Sequence, residues 1–114
     1  MAKKRRKGLV YNNGVFAGRL EETTDGFKFT YATEYLAGSE AQSISLTLPK
    51  RTEPYFSRYL FAFFYGLLAE GTARQLQCRH LKIDENDYFG LLLKTAHSET
   101  IGSVTVVEAD EVNT

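Results

Sequence analysis

Residues 9–21 read LVYNNGVFAGRLE, a stretch that predicts a β-hairpin at the start of the folded chain. Leu9 to Tyr11 form a short apolar run, and the Asn13-Gly14 pair that follows suits the positive φ angles of a type I′ turn. Val15 to Glu21 is then the return strand. Within it, Gly18 predicts a bulge or a close approach of backbone. The chain therefore opens with two antiparallel strands.

Further strands are predicted on the C-terminal side of this hairpin. After a second turn at 24–26, Phe27, Phe29 and Tyr31 alternate with polar residues, as in a half-buried strand. The same alternation predicts a strand over residues 44–48, which Pro49 would end. The β-branched run over residues 101–107 predicts the last strand.

The second half of the chain predicts three helices, over residues 55–68, from 72 to about 79, and from 84 to about 95. Pro54 suits the first turn of the first helix, and Thr72 can cap the second. Asp84 followed by Asp87 resembles a capping box at the start of the third. Strands, then helices, then one strand predict an α+β domain. We expect a small, curved, mostly antiparallel sheet of about five strands packed with three or so helices.

The charged residues are unevenly distributed along the chain. Of 14 basic residues, five lie in Lys3–Lys7, and the remainder of the chain carries nine basic against 14 acidic residues. We predict a mildly acidic domain over residues 9–108, preceded by a disordered basic tail over 1–8 and followed by a short tail over 109–114. This balance argues against specific nucleic-acid binding by the domain. The basic tail is either a solvated terminus or a weak phosphate contact within a larger complex.

The residue patterns that enzymes require are largely missing. The glycines lack the spacing of a phosphate-binding loop, and no protein-kinase catalytic motif is present. Cys78 and His80 form the nearest approach to a metal pair, and a zinc site needs about four ligands. We therefore predict a binding module that has no catalytic activity, cofactor or metal. A lone cysteine and the absence of an apolar run of about 20 residues predict a cytoplasmic protein outside the membrane.

The aromatic run over residues 55–68 carries the candidate binding site. Read as a helix, it places Phe56, Leu60, Phe63, Phe64 and Leu67 on one stripe. Either this helix is a core element covered on several sides, or its end protrudes as an aromatic anchor for a partner. Tyr65 is offset by about 100° from Phe64, and Gly66 weakens the helix there. We predict partner contacts at Phe64 and Tyr65, with Gly66 and Glu70 nearby; the alternative is that Tyr65 covers the module's own core.

Four stretches in order carry a family resemblance. They are residues 10–20 (VYNNGVFAGRL), Tyr31 with residues 34–36 (EYL) and 43–49 (SISLTLP), residues 63–71 (FFYGLLAEG), and residues 87–92 (DYFGLL) through 101–104 (IGSV). Together they resemble the N-terminal module of HipA-type serine/threonine kinases, the toxins of bacterial toxin–antitoxin systems. Ala69 departs from the pattern, because that family usually has proline at this position. The chain also stops where the kinase core of that family would begin.

The resemblance implies the fold of the N-terminal subdomain of HipA kinases and a role in binding a kinase. A free-standing module of this kind resembles HipS, the small component of tripartite HipBST systems. That similarity implies an antitoxin that docks on and neutralises a separate HipA-like, or HipT-like, kinase toxin. A HipB-like DNA-binding protein is a further candidate partner in a larger complex. The alternative is a structural domain excised from a full-length HipA-like kinase, without an inhibitory role of its own.

Overall fold

The architecture is a five-stranded antiparallel sheet with helices, as the strand and helix order predicts. A computed structural model describes residues 5–38, 41–97 and 103–109. Within these ranges the elements are β1 (Lys7–Asn12), β2 (Val15–Thr23), β3 (Gly26–Tyr31), α1 (Thr33–Ala37), β4 (Tyr55–Ser57), α2 (Ala62–Tyr65), α3 (Gly71–Leu81), α4 (Tyr88–Thr95) and β5 (Val104–Glu108). The strands lie in the order β4-β3-β2-β1-β5, so the α+β class is confirmed. No helix in these ranges has the length and apolar character needed to cross a membrane.

The first hairpin forms as its sequence predicts. Asn13 and Gly14 both have positive φ, at 53° and 80°, as a type I′ turn requires. The pairing of β1 with β2 then slips by one residue beside Gly18, which produces a bulge in β2. A Cβ atom on Gly18 would lie 2.4 Å from the carbonyl oxygen of Thr30. Glycine is therefore required where β2 and β3 approach each other.

One face of the sheet carries the core. Val10, Leu20, Phe29 and Val106 point to this face and are fully buried. Helix α4 covers it with five consecutive buried residues, Phe89 to Leu93. At the β5 edge, the Val106 amide donates to the carbonyl of Ala96 at 2.8 Å, which ties the last strand to the end of α4. The helices thus seal a single side of the sheet.

The predicted helix over residues 55–68 is wrong in its first half. Tyr55 pairs with Phe29, and the short strand β4 forms the edge of the sheet beside β3. Phe56 lies opposite Lys28 and is 69% exposed. This pairing satisfies backbone groups along β3, and aromatic residues suit a pleated, half-buried surface. Helix α2 retains only four residues, so the five-membered apolar stripe does not exist.

The predicted strand over residues 44–48 is also wrong. Ser45 and Leu48 form a single isolated bridge within a turn. Ile44 and Leu48 are buried while Leu46 is 96% exposed, so the alternation arises from the turn. The hydroxyl of Tyr31 organises this turn, because it accepts from the Ile44 amide at 3.1 Å and donates to the Leu48 carbonyl.

The remaining helices differ from the predictions mainly at their ends. The short helix α1 was not predicted. Helix α3 begins at Gly71 and has Glu70 at its N-cap position, where Thr72 was expected. Helix α4 begins after Asp87, whose carboxylate accepts from the Gly90 amide at 3.1 Å. Asp87 is therefore the cap, and Asp84 lies outside the helix. Residues 101–102 of the predicted last strand lie outside the described residues.

The N-terminal segment joins the domain earlier than the charge pattern predicts. Lys7 and Gly8, which we assigned to the disordered tail, belong to β1. The guanidinium of Arg6 forms ion pairs with Glu22 and Asp87, each at 2.8 Å. Hydrogen bonds to these two carboxylates raise the pKa of Arg6 above its usual value. Residues 1–4 of the tail lie outside the described residues, as do residues 110–114 at the other end.

Candidate functional site

The predicted site residues lie along the connection from α2 to α3. Phe64 is fully buried, and its ring packs 5.2 Å from Phe63 and 5.6 Å from Phe29 between ring centroids. Tyr65, Gly66 and Glu70 are exposed. Phe64 therefore supports the site from the core side, and the other three residues form its surface. Their contact with a partner remains a prediction.

Tyr65 belongs to a cluster that also contains Tyr88 and Arg74, here called the Tyr–Arg cluster. The rings of Tyr65 and Tyr88 meet edge to face with centroids 5.1 Å apart. The Arg74 guanidinium lies 5.1 Å from the Tyr65 ring centroid and 5.5 Å from that of Tyr88. Tyr65 nevertheless remains 37% exposed. The ring is thus held in place on one side and open to a partner on the other.

The local backbone explains why these side chains meet. The amides of Gly66, Leu67 and Leu68 each donate to a backbone carbonyl three or four residues earlier in the chain. The chain therefore keeps turning after α2. Gly71 has a φ of 58°, which glycine adopts without strain, and α3 begins there. The reversal brings Arg74 back over Tyr65, and its Nε donates to the Ala69 carbonyl at 2.8 Å. The turn and the cluster therefore stabilise each other.

Sequence reasoning missed Arg74 and Tyr88. Arg74 lies on a different helix from Tyr65, and no local motif links the two. Tyr88 stands at the start of α4, where the sequence shows only an N-terminal cap. The sequence offered only a weak signal for them. Tyrosine and arginine are both enriched at binding surfaces, but no sequence spacing indicates that these two residues lie close together.

A groove with a mixed polar and apolar lining begins next to the Tyr–Arg cluster, at Gly66. Its volume is about 550 Å³, and its lining includes Leu67, Leu68, Leu76, Leu81, Lys94 and His97. Leu76 is 56% exposed there. The side-chain oxygen of Gln77, another lining residue, is buried and has no hydrogen-bond partner among the described residues. The cluster and the groove therefore adjoin each other at this end of the molecule.

The side chains that the site exposes are of kinds that recognise a partner. Within residues 5–38, 41–97 and 103–109, no group of three or more histidine, cysteine, aspartate or glutamate residues is placed to hold a metal ion. The free thiol of Cys78 is buried. The exposed groups of the site are an aromatic ring, a guanidinium and apolar side chains, which serve recognition.

Comparison with known proteins identifies the relatives of this chain. A family model described as the HipA N-terminal domain matches residues 8–107. A solved structure of the N-terminal domain of HipA toxin superposes with a TM-score of 0.73 at 31% identity, covering 97% of this chain and 99% of that one. Both matches are thus to the N-terminal domain of HipA proteins.

Two curated relatives differ in size. An uncharacterised protein of Haemophilus influenzae is 34% identical over 103 residues, which cover 90% of this chain and 92% of that protein. A putative kinase, Y4mE, of Sinorhizobium fredii is 27% identical over 103 residues, which cover 90% of this chain. Those residues make up only 24% of the kinase, so this chain spans about a quarter of its length.

Proposed function

Because the chain belongs to the HipA N-terminal domain family, we propose that it is an antitoxin-type module that binds and neutralises a separate HipA-like serine/threonine kinase. The same domain occurs within a putative kinase of Sinorhizobium fredii and in a Haemophilus influenzae protein of similar length to this chain. The Haemophilus influenzae relative is the observation that carries the proposal. The matched residues make up 92% of that protein, so it is too short to include a kinase core like that of the Sinorhizobium fredii protein. A module of this kind has to reach its kinase through an intermolecular interface.

The surface that supports such docking is the end of the molecule that carries the Tyr–Arg cluster. Tyr65 presents a large ring with a hydroxyl at its tip, and Arg74 lies against that ring. Tyrosine and arginine are the residue types that most often dominate binding energy at interfaces. We propose that Tyr65, Gly66 and Glu70 contact the kinase, while Phe64 holds them in position from the core. A HipB-like DNA-binding protein is a further partner of the resulting complex.

A separate module loses the high effective concentration that a covalent linkage provides. The interface has to compensate, and we expect it to bury roughly 1,200–2,000 Å² in total, the standard size for a stable complex. We further propose a cytoplasmic protein that has no catalytic activity of its own and inhibits by occupying the kinase.

Co-expression with a HipA-like kinase from the same genome tests this function. We expect the two proteins to co-elute and the chain to relieve the kinase's toxicity to growth. Tyr65→Ala is the matched variant. It should fold as the wild type does, and it should bind the kinase less tightly. If both proteins are soluble and neither co-elution nor growth rescue occurs, the antitoxin proposal is wrong.

The second candidate function is that of a structural domain of a longer kinase. The relative in Sinorhizobium fredii, in which the domain is about a quarter of the protein, favours it. Such a domain would stabilise the kinase to which it is fused without inhibiting a separate one. Increased kinase activity or stability on addition of the chain, in place of inhibition, would support this alternative.

A further inference from the structure

Arg74 differs from the paired cations of this domain. Arg6 is bound by Glu22 and Asp87, and Lys94 by Glu108. Arg74 forms no ion pair with any carboxylate among the described residues, although Glu70 lies one turn before it in the chain. A half-buried guanidinium in a folded domain is usually satisfied by an anion.

Arg74 is nevertheless held in place. Its Nε donates to the Ala69 carbonyl at 2.8 Å, and its guanidinium lies within 5.5 Å of the centroids of both the Tyr65 and Tyr88 rings. Arg51 and Arg19 are exposed, and each of them contacts a single ring within the described part of the chain. The conformational entropy of the Arg74 side chain is therefore already reduced before any partner arrives, which favours binding.

The free part of the guanidinium is the part that recognises anions. Among the described residues, no acceptor bonds the terminal nitrogens Nη1 and Nη2 of Arg74, because its one hydrogen bond uses Nε. These two nitrogens form a planar fork that matches the paired oxygens of a carboxylate or a phosphate. We propose that Arg74 is an anion-binding residue of the kinase interface, receiving two oxygens of a partner anion while the Tyr65 ring is buried beside it.

This inference rests on the proposed function and specifies its chemistry. The anion has two possible sources: a side-chain carboxylate of the kinase, or a phosphate of a nucleotide that the kinase holds. Both present paired oxygens, so the Arg74 guanidinium would bind either of them through the same two hydrogen bonds. They differ in whether nucleotide is needed for tight binding.

The test measures the affinity of purified kinase for the wild-type chain, Arg74→Gln and Arg74→Lys by calorimetry at several salt concentrations. We expect Arg74→Gln to bind roughly tenfold more weakly or worse, as loss of a charge-assisted hydrogen-bond pair implies. Arg74→Lys should fall between the two, since it keeps the charge and loses the fork. The wild-type affinity should also decrease more steeply with salt than that of Arg74→Gln.

Arg79→Gln is the matched control, because Arg79 is an exposed arginine of the same helix without a ring contact among the described residues. It should bind as the wild type does. Repeating the titrations with a non-hydrolysable nucleotide and magnesium distinguishes the sources. Tighter binding of the wild type alone identifies a phosphate, and nucleotide-independent binding identifies a carboxylate.

The outcomes separate this inference from the function on which it rests. If the wild type binds and Arg74→Gln binds equally well, Arg74 is not an anion site and the antitoxin proposal stands. The inference is also overturned if Arg79→Gln weakens binding equally. A loss in Arg74→Gln that does not vary with salt overturns it as well, because Arg74 then only positions Tyr65. If the wild type itself does not bind, the proposed function fails and the anion site fails with it.

Discussion

Phe64 and Tyr65 are adjacent residues with opposite environments. Phe64 is fully buried between the sheet and Phe63, whereas Tyr65 reaches the surface, where it contacts the Tyr88 ring and the Arg74 guanidinium. The four-residue helix α2 is just long enough to direct the two side chains to different sides. Phe64 therefore belongs to the core, and we propose that its neighbour Tyr65 serves recognition.

Phe64→Ala and Tyr65→Ala should consequently have different effects. Truncation of the buried Phe64 ring should lower the free energy of unfolding by roughly 3–5 kcal/mol, because it leaves a cavity in the core. Tyr65→Ala should change stability far less and should weaken kinase inhibition. Thermal melting and inhibition assays on both variants measure this. A Tyr65→Ala protein that melts far lower while its folded fraction inhibits normally would show that Tyr65 is a core residue.

The hydroxyl of Tyr31 gives the domain a pH dependence in the alkaline range. Burial is the main cause that raises the pKa of Tyr31 to about 12. In the unfolded chain the pKa is about 10, so the folded state holds this proton more tightly. The resulting stability is fully present below pH 10 and is lost as the pH rises towards 12.

We therefore predict that the free energy of unfolding falls between about pH 10 and pH 12, by up to about 1.4 kcal/mol per pH unit from this one group. Denaturant unfolding of the wild type and Tyr31→Phe across this range measures it. The variant should be less stable at neutral pH, because the Ile44 amide and the Leu48 carbonyl lose their partner, and its stability should depend less on pH. Equal pH dependence in both proteins would contradict the assignment.

At the scale of elements, the start of α4 is joined to the N-terminal segment. Asp87 caps the helix through the Gly90 amide and also binds the Arg6 guanidinium. Arg6 in turn lies 5.4 Å from the centroid of the Phe89 ring and reaches Glu22 on β2. Asp87 and Arg6 together thus connect the start of α4 to the segment before β1 and to β2.

Asp87→Ala should lower the free energy of unfolding by about 1–2 kcal/mol, because it removes a helix cap together with an ion pair. Asp84→Ala is the control: Asp84 is exposed and lies outside the helix, so we expect a change within about 0.5 kcal/mol. Chemical denaturation of both variants gives the comparison. Equal destabilisation by the two changes would mean that the cap and ion pair at Asp87 contribute little.

At the scale of the whole molecule, the sheet has one covered face and the proposed docking surface lies at one end. Helices α2 and α4 seal the core through Phe64 and Phe89, whereas α3 buries only Cys78. Helix α3 therefore contributes less to the core than α2 and α4 do, and Leu76 on it lines the groove. This arrangement leaves α3 available to pack against a second protein.

Truncations at the N-terminus test which of its basic residues the fold and the kinase interface need. We expect deletion of residues 1–4 to leave both thermal stability and kinase binding unchanged. Deletion of residues 1–7 removes Arg6 and the first residue of β1, so it should lower the melting temperature clearly. Melting curves and calorimetry with the kinase provide the measurement. A large loss of kinase affinity on deletion of residues 1–4 would assign the tail to the interface.

The sequence alone determines the features that depend on neighbouring residues. Asn13-Gly14 specifies its turn because few other residue types tolerate two consecutive positive φ angles. The α+β class follows from the order of elements. The four motifs indicate the family, and the family model matches residues 8–107. All three conclusions hold in the structure.

Only the tertiary structure decides the features that depend on distant partners. The residues of β4 become an edge strand because β3 offers unpaired backbone groups, and the local aromatic pattern favours a helix just as well. The alternation at 44–48 becomes a turn because the Tyr31 hydroxyl binds both of its ends. Arg74 joins Tyr65 because Gly71 reverses the chain between them. In each case the free energy of a non-local contact outweighs a local preference, and the sequence pattern carries no record of that contact.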